Sequence, residues 1–355
     1  MARRREKSSS GEKTRMETSH PDHGLDESPT RRFHSVTFLE QINQDEYEKL
    51  GGKAVNLGRL YRAGIDVPNG FTISCDCFTE FLDRVPRSRE VLQRLEASTN
   101  IEEILDAATE LEQLGGQCTM AKKMREEIAA AFLQLDRRVG SHDTKYAVRS
   151  SANIEDGKQV SFAGQAESFL GVNGVENIID AVKRTWQSAI SSRSVLYLHS
   201  RGIRINRVAM GVIVQEMIPA DVSGVMFTAN TVTNDHSQMI VESTWGLGEP
   251  LVSGRIVPDT YVLGKDPMRV IQRTLGSKAV TAVPSESDEG ERVLLQSTPR
   301  DKQEEFTLED REILRIARKG LEIEHLLGCP QDVEWCIKGS RLVVVQARPI
   351  TTLQP

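Results

Sequence analysis

No apolar run in this 355-residue sequence approaches the eighteen or so residues of a membrane helix, which excludes a helical membrane span. The five cysteines, Cys75, Cys77, Cys118, Cys329 and Cys336, include no CxxC pair. An odd set without ligand spacing argues against a zinc site or a disulfide framework and fits a reduced, cytoplasmic protein. Excess positive charge is missing too: a formal net charge of -6 argues against a general nucleic-acid binder, because the phosphate backbone rewards basic surfaces. Arg3, Arg4 and Arg5 have no apolar run behind them, so they do not open a secretory signal. Internal repeats are absent. Neither nucleic acid nor membrane is expected as a partner.

What is present is enough chain for two domains, or one domain of two lobes, with a buried core. The hydrophobic share of 38% is low mainly because of residues 1–32, which hold eight Lys or Arg and only Leu25 among large aliphatics. Such a segment cannot bury enough apolar surface to order itself, so a disordered polar tail is expected there.

Along the rest, Val36 to Leu39 reads as a strand, and a helix opens at Gly51-Gly52-Lys53 with Val55, Leu57, Leu60 and Tyr61 spaced for burial. Phe71 to Ile73 is a strand, and Asp76 to Arg138 is helical, with Ile101, Ile104, Leu105, Ala108 and Leu111 on one face. Tyr146 to Ser150 is a strand, followed by helices near 175–189 and 191–200. Beyond about 205 strands dominate: 209–217, 224–229, 239–242, 261–263 and 270–274. A charged segment, 284–304, reads as an exposed loop or crossover, and a last helix starts at Thr307 as N-cap and ends at Gly328. The expected fold is mixed α+β, with a helix-rich lobe over 33–204 and a sheet-rich lobe over 205–355. A cleft between two lobes is a common place for a ligand.

The most informative stretch is Asp332-Val333-Glu334-Trp335, a Lys338-Gly339-Ser340-Arg341 turn, and Gln346-Ala347-Arg348-Pro349. Apolar alternation on both sides of the turn predicts an antiparallel hairpin. With a three-residue turn at 339–341, Glu334 faces Gln346 and Asp332 faces Arg348. Two carboxylates, an amide and a guanidinium on one patch suit a divalent ion and a phosphate. A solvated edge hairpin with a surface ion pair is the plainer alternative.

Three other motifs carry two readings each. Gly51-Gly52-Lys53 at a helix start either cradles an anion or makes a simple turn, and it lacks the GxxxxGK[ST] spacing of a P-loop. Arg149, at the end of a strand, either clamps phosphate oxygens beneath a small-residue loop at 161–165 or is an ordinary surface Arg. Gln215-Glu216-Met217-Ile218 leaves a buried strand as an adenine slot would, or as core packing would. The acidic, Gly-rich stretch Glu242 to Glu249 reads as a tight turn or a metal-proximal loop.

Taken in order, GGKAVNLGRL at 51–60, GIDVPNGFTI at 64–73, VRSSANIEDG at 148–157, SFAGQAESFL at 161–170, VQEMIPADVSGVMFT at 214–228, WGLGEPLVSG at 245–254, DVEW and QARPIT resemble one family. It is the nucleotide-binding domain of pyruvate phosphate dikinase, phosphoenolpyruvate synthase and rifampin phosphotransferase. The resemblance covers about 36–352 and implies a two-lobed ATP-grasp fold that closes on ATP with Mg²⁺ or Mn²⁺. It implies that Lys53 and Arg149 bind phosphates and, with Arg348, serve catalysis. It further implies that Glu334 and Gln346 hold the metal, that Asp332 and Arg348 flank them, and that Gln215, Glu216, Met217 and Ile218 contact adenine. Ser161, Ala163, Gly164 and Gln165 then form the glycine-rich cover. In the family, ATP is split to AMP and the β-phosphoryl group passes through a histidine on a swivelling domain.

This sequence contains neither the glycine-rich Thr-Ser-His segment of that domain nor a substrate barrel; Thr18-Ser19-His20 lies in the polar tail with no glycine pair. Three readings follow. The chain is a phosphotransferase that delivers a phosphoryl group directly to a small molecule, or the ATP-binding part of a split enzyme that phosphorylates a histidine on a separate protein, or a nucleotide sensor without turnover. The complete set Lys53, Arg149, Glu334, Gln346 and Arg348 argues against the sensor.

Overall fold

The strands assemble into three antiparallel sheets, of five, six and two strands. A computed structural model describes residues 35–140, 144–153, 167–285 and 292–353. The strands are β1 (Val36–Phe38), β2 (Gly70–Ile73), β3 (Tyr146–Ala152), β4 (Phe169–Val172), β5 (Met210–Glu216), β6 (Val222–Phe227) and β7 (Gln238–Trp245). They continue with β8 (Asp259–Lys265), β9 (Met268–Thr274), β10 (Val280–Pro284), β11 (Val293–Ser297), β12 (Gln331–Lys338) and β13 (Arg341–Pro349). One sheet has the order β1-β2-β5-β3-β4 and another β13-β12-β6-β7-β8-β9. The fold is mixed α+β. Residues 33–355 form one compact unit, and no described helix is long and apolar enough to cross a membrane.

Two apolar clusters hold the unit together, and they interleave along the chain. The first joins one face of the five-stranded sheet, through Phe71, Ile73, Tyr146, Val148, Val212 and Val214, to helices between 75 and 200. The second joins Val333, Trp335, Ile337, Met226, Met239 and Tyr261 of the six-stranded sheet to helix Asp310–Leu327 and to Ala54, Leu57 and Leu60 of helix Gly52–Arg62. An early helix thus packs in the later sheet's core, while β5, beyond residue 205, sits inside the first sheet. Burying fronts of this size supplies the main driving force for folding.

Several local expectations are corrected. The helical stretch 76–138 is four helices, Cys75–Arg84, Ser88–Ala97, Ile101–Gln117 and Lys122–Val139. In the third, Ile104, Ala108 and Leu111 are buried with Ala107, but Ile101 and Leu105 face solvent. The segment expected as an exposed loop, 284–304, contributes to the β10–β11 hairpin and a short helix, Arg300–Glu304. The last helix is capped by Glu309 with Glu312, in a reciprocal capping box, rather than by Thr307. Thr307 instead gives its N–H and hydroxyl to Asp259 Oδ2, at 2.8 and 2.9 Å. All five cysteines are free.

Candidate active site

The C-terminal hairpin pairs Glu334 with Gln346 and Asp332 with Arg348, the expected register, but by a different route. The turn is two residues long, with Lys338 opposite Arg341, and the register shifts by one at Glu334/Trp335. With that turn alone, Gln346 and Arg348 would point into the core, because one residue of slip flips every side chain. Val345 is the extra residue of a β-bulge that restores them to the site face. Outside the ladder, Val344 donates its N–H to Asp66 O at 2.8 Å, and Arg341 makes a two-pronged ion pair with Asp66 at 2.7 and 2.8 Å. These contacts hold β13 where the bulge forms.

On this floor, two N–H groups of Arg348 converge on Asp332 Oδ2 at 2.8 and 2.7 Å. Burial pushes the Asp332 carboxyl above its ordinary range; Arg348 opposes that, and nearby Glu334 adds to it. From the other sheet, Arg149 Nη1 reaches Glu334 Oε2 at 3.3 Å. Arg149 lies on the face of β3 and β5 that carries Ile213 and Gln215. That contact ties the two sheets together at the candidate site.

Helix Gly52–Arg62 bears Lys53 on its first turn and bridges both sheets. Ala54 N donates to Ser151 Oγ of β3 at 3.1 Å, and Asn56 Nδ2 donates to Ala347 O of β13 at 3.2 Å. Gly51 has φ +81°, and a Cβ there would lie 2.1 Å from Ser151 O. The glycine at this position is therefore required by backbone packing against β3, in addition to any ligand.

The proposed base slot divides into two sides. Met217 packs with Leu247 and Ala282, and Ile218 with Cys336 and Val343. Leu247 N donates to Ala282 O at 2.8 Å, so the β10–β11 hairpin walls one side. Burial pushes the Cys336 thiol up to about 12, against the pull of Arg149 and Arg341, so it stays an uncharged wall. Gln215 is buried, donates to Pro68 O at 3.4 Å, and has its Oε1 without a partner among the described residues. Glu216 accepts from Asn69 Nδ2 at 3.2 Å. Ser161, Ala163, Gly164 and Gln165, expected as the cover, lie outside the described residues, as does the 1–32 tail.

Glu242 departs from the expected loop. It begins no loop: it sits inside β7, opposite Val225, which in turn lies opposite Glu334. Burial, and then the Asp332 charge, push its carboxyl upward. Strand-period counting continued through Ser243-Thr244-Trp245 could have placed it on the same face as Glu334.

Gln346 is 7% exposed, and no hydrogen bond engages its carboxamide among the described residues. No group of three or more His, Cys, Asp or Glu able to hold a metal occurs among the described residues. One carboxylate and one amide oxygen still fit Mg²⁺, which keeps several waters and takes further ligands from substrate phosphates.

The AMP/ATP-binding domain of pyruvate phosphate dikinase matches residues 47–355. The chain belongs to this pyruvate phosphate dikinase family. It is 32% identical, over 90% of its length, to a probable phosphoenolpyruvate synthase of Methanocaldococcus jannaschii, covering 27% of that protein. It is 31% identical, over 91%, to phosphoenolpyruvate synthase of Pyrococcus furiosus, covering 44% of it. A rifampicin phosphotransferase of a Streptomyces species is 37% identical over 90% of the chain, with 36% of that protein covered. The chain thus spans less than half the length of these curated relatives. The dikinase family match accounts for why a metal-suited hairpin, a strand Arg and a Gly-Gly-Lys helix start occur in one sequence.

Proposed function

We propose that the chain is an ATP-dependent phosphotransferase that binds Mg-ATP between its two larger sheets and passes a phosphoryl group directly to a small-molecule acceptor. AMP and phosphate are the by-products. The observation that carries the reading is the meeting of Arg149, from one sheet, with Glu334 beside Gln346, from the other. Glu334 and Gln346 are the residues that would hold Mg²⁺, whose charge would neutralise the phosphoryl oxygens in transfer. Arg149 and Lys53 orient the phosphates, and Arg348, held by Asp332, adds a fixed cation beside them. The walls of Met217, Leu247, Ile218 and Val343 receive the base and exclude water. Catalysis in this scheme rests on positioning and on charge placed in advance.

A second reading has its own support. The likeness to phosphoenolpyruvate synthases supports passing the phosphoryl group first to a histidine on a separate protein. Incubating the purified chain with Mg²⁺ and ATP labelled at the β and γ positions, and separating the products, tests both. AMP and phosphate released with a small acceptor alone support the first reading. Turnover only on addition of a histidine-bearing partner supports the second. Failure of the chain to bind Mg-ATP in calorimetry would defeat both.

A further inference from the structure

We propose that the Arg149–Glu334 pair makes the cleft select metal-bound over metal-free nucleotide, by occupying the phosphate-binding cation until a metal relieves it. This rests on the Mg-ATP reading above. The two side chains are 18% and 21% exposed and meet through one 3.3 Å contact rather than a two-pronged clamp. Neither backbone can withdraw. Arg149 is paired to Ile213 in the middle of β3, and Glu334 is flanked by Val225 and Gln346.

Neither Asp332, Gln346 nor Glu242 substitutes for Glu334. Asp332 is engaged by Arg348, and Gln346 is neutral. Glu242 stands two strands away from Glu334, about 10 Å between backbones. A metal-free triphosphate that captures Arg149 would leave the Glu334 carboxylate half-buried, without its Arg149 contact and facing added negative charge. Leaving one partner of a desolvated pair alone is strongly unfavourable. A divalent ion on Glu334 removes that obstacle and frees Arg149 for phosphate. Metal and nucleotide therefore promote each other's binding, and the coupling is reciprocal by linkage.

The test measures binding of a non-hydrolysable ATP analogue by calorimetry, with Mg²⁺ and with EDTA. The proteins are the unaltered chain, Glu334→Gln, and Glu242→Gln as a control for general charge. Matching circular dichroism and melting curves establish that the variants are folded. Glu334→Gln is expected to bind the metal-free analogue about tenfold tighter than the unaltered chain, and the Mg-bound analogue more weakly. Glu242→Gln should change metal-free affinity much less, since it removes a charge but no pair. Unchanged or weaker metal-free binding in Glu334→Gln, while the unaltered chain binds the Mg complex, overturns the inference alone. So does an equal gain in Glu242→Gln. Absence of Mg-analogue binding to the unaltered chain overturns the Mg-ATP reading, and the inference with it.

Discussion

On one six-stranded sheet, two carboxylates meet cations in opposite ways. Asp259 is fully buried against a fully buried Lys278, at 2.6 Å. Its remaining capacity is filled by Gly276 N, Thr307 N and Thr307 Oγ1. Lys278 also donates to Gly276 O and Gln303 O. Every member of that network is satisfied within the fold, so it staples β8 to the segments at 276–278 and 303–307. Glu334, three strands away on β12, has one long contact to Arg149, beside a buried amide with no described partner. A saturated charge is structural, whereas a charge left with room for another ligand is available for function.

The largest effect should come from breaking the closed network. Lys278→Met strands Asp259 in the core and is expected to destabilise the protein by about 3–5 kcal/mol, lowering the melting temperature by on the order of 10 °C. Thermal denaturation reads it, and a shift of only a degree or two would remove the contrast. Glu334→Ala should instead lower phosphoryl transfer at least about a hundredfold while changing stability by about 1 kcal/mol or less. Unchanged turnover in that variant would end the site assignment. Arg348 is intermediate, since it is clamped by Asp332 yet still 36% exposed. Arg348→Lys keeps the charge but loses the double contact; roughly tenfold slower transfer is expected, with a small change in melting temperature.

The smallest effect concerns pH. Glu242 has a carboxyl raised by burial and by Asp332, so the folded state holds its proton more tightly than the unfolded state does. Its ionisation therefore weakens the fold as pH rises from the unfolded value through the folded one. Glu242→Gln should melt slightly higher than the unaltered chain near neutral pH. That gain should vanish as pH falls below the ordinary carboxylate range. A gain that persists at low pH would show that charge is not its cause.

Much of this was legible in the residues. Alternation around Gly339 announced the hairpin, and period-two counting put Asp332, Glu334, Gln346 and Arg348 on one face. The register came out right only because a longer assumed turn adds the one residue that the bulge at Val345 supplies. Nothing local announces that bulge, since Val343-Val344-Val345 is uniform β-former sequence and the Asp66 contacts come from nearly three hundred residues away. Thr307 looked like an N-cap because hydroxyl residues favour that position. A buried Asp259 claimed it instead. The 284–304 segment concealed a hairpin because its charges mask a short apolar alternation. Glu242 ends the expected strand, which in the structure continues through Ser243 to Trp245.

The sequence by itself determined most element types, the mixed α+β class and the family, because these depend on local period, spacing and ordered motifs. Only the tertiary structure decided what the charges do. Whether a carboxylate is sealed, as at Asp259, or left open, as at Glu334, depends on which distant backbone groups arrive to satisfy it. Those arrivals are set by the packing of two sheets and by a bulge held from outside the hairpin. No count along the chain contains that information, because desolvation and pairing are properties of the assembled cleft.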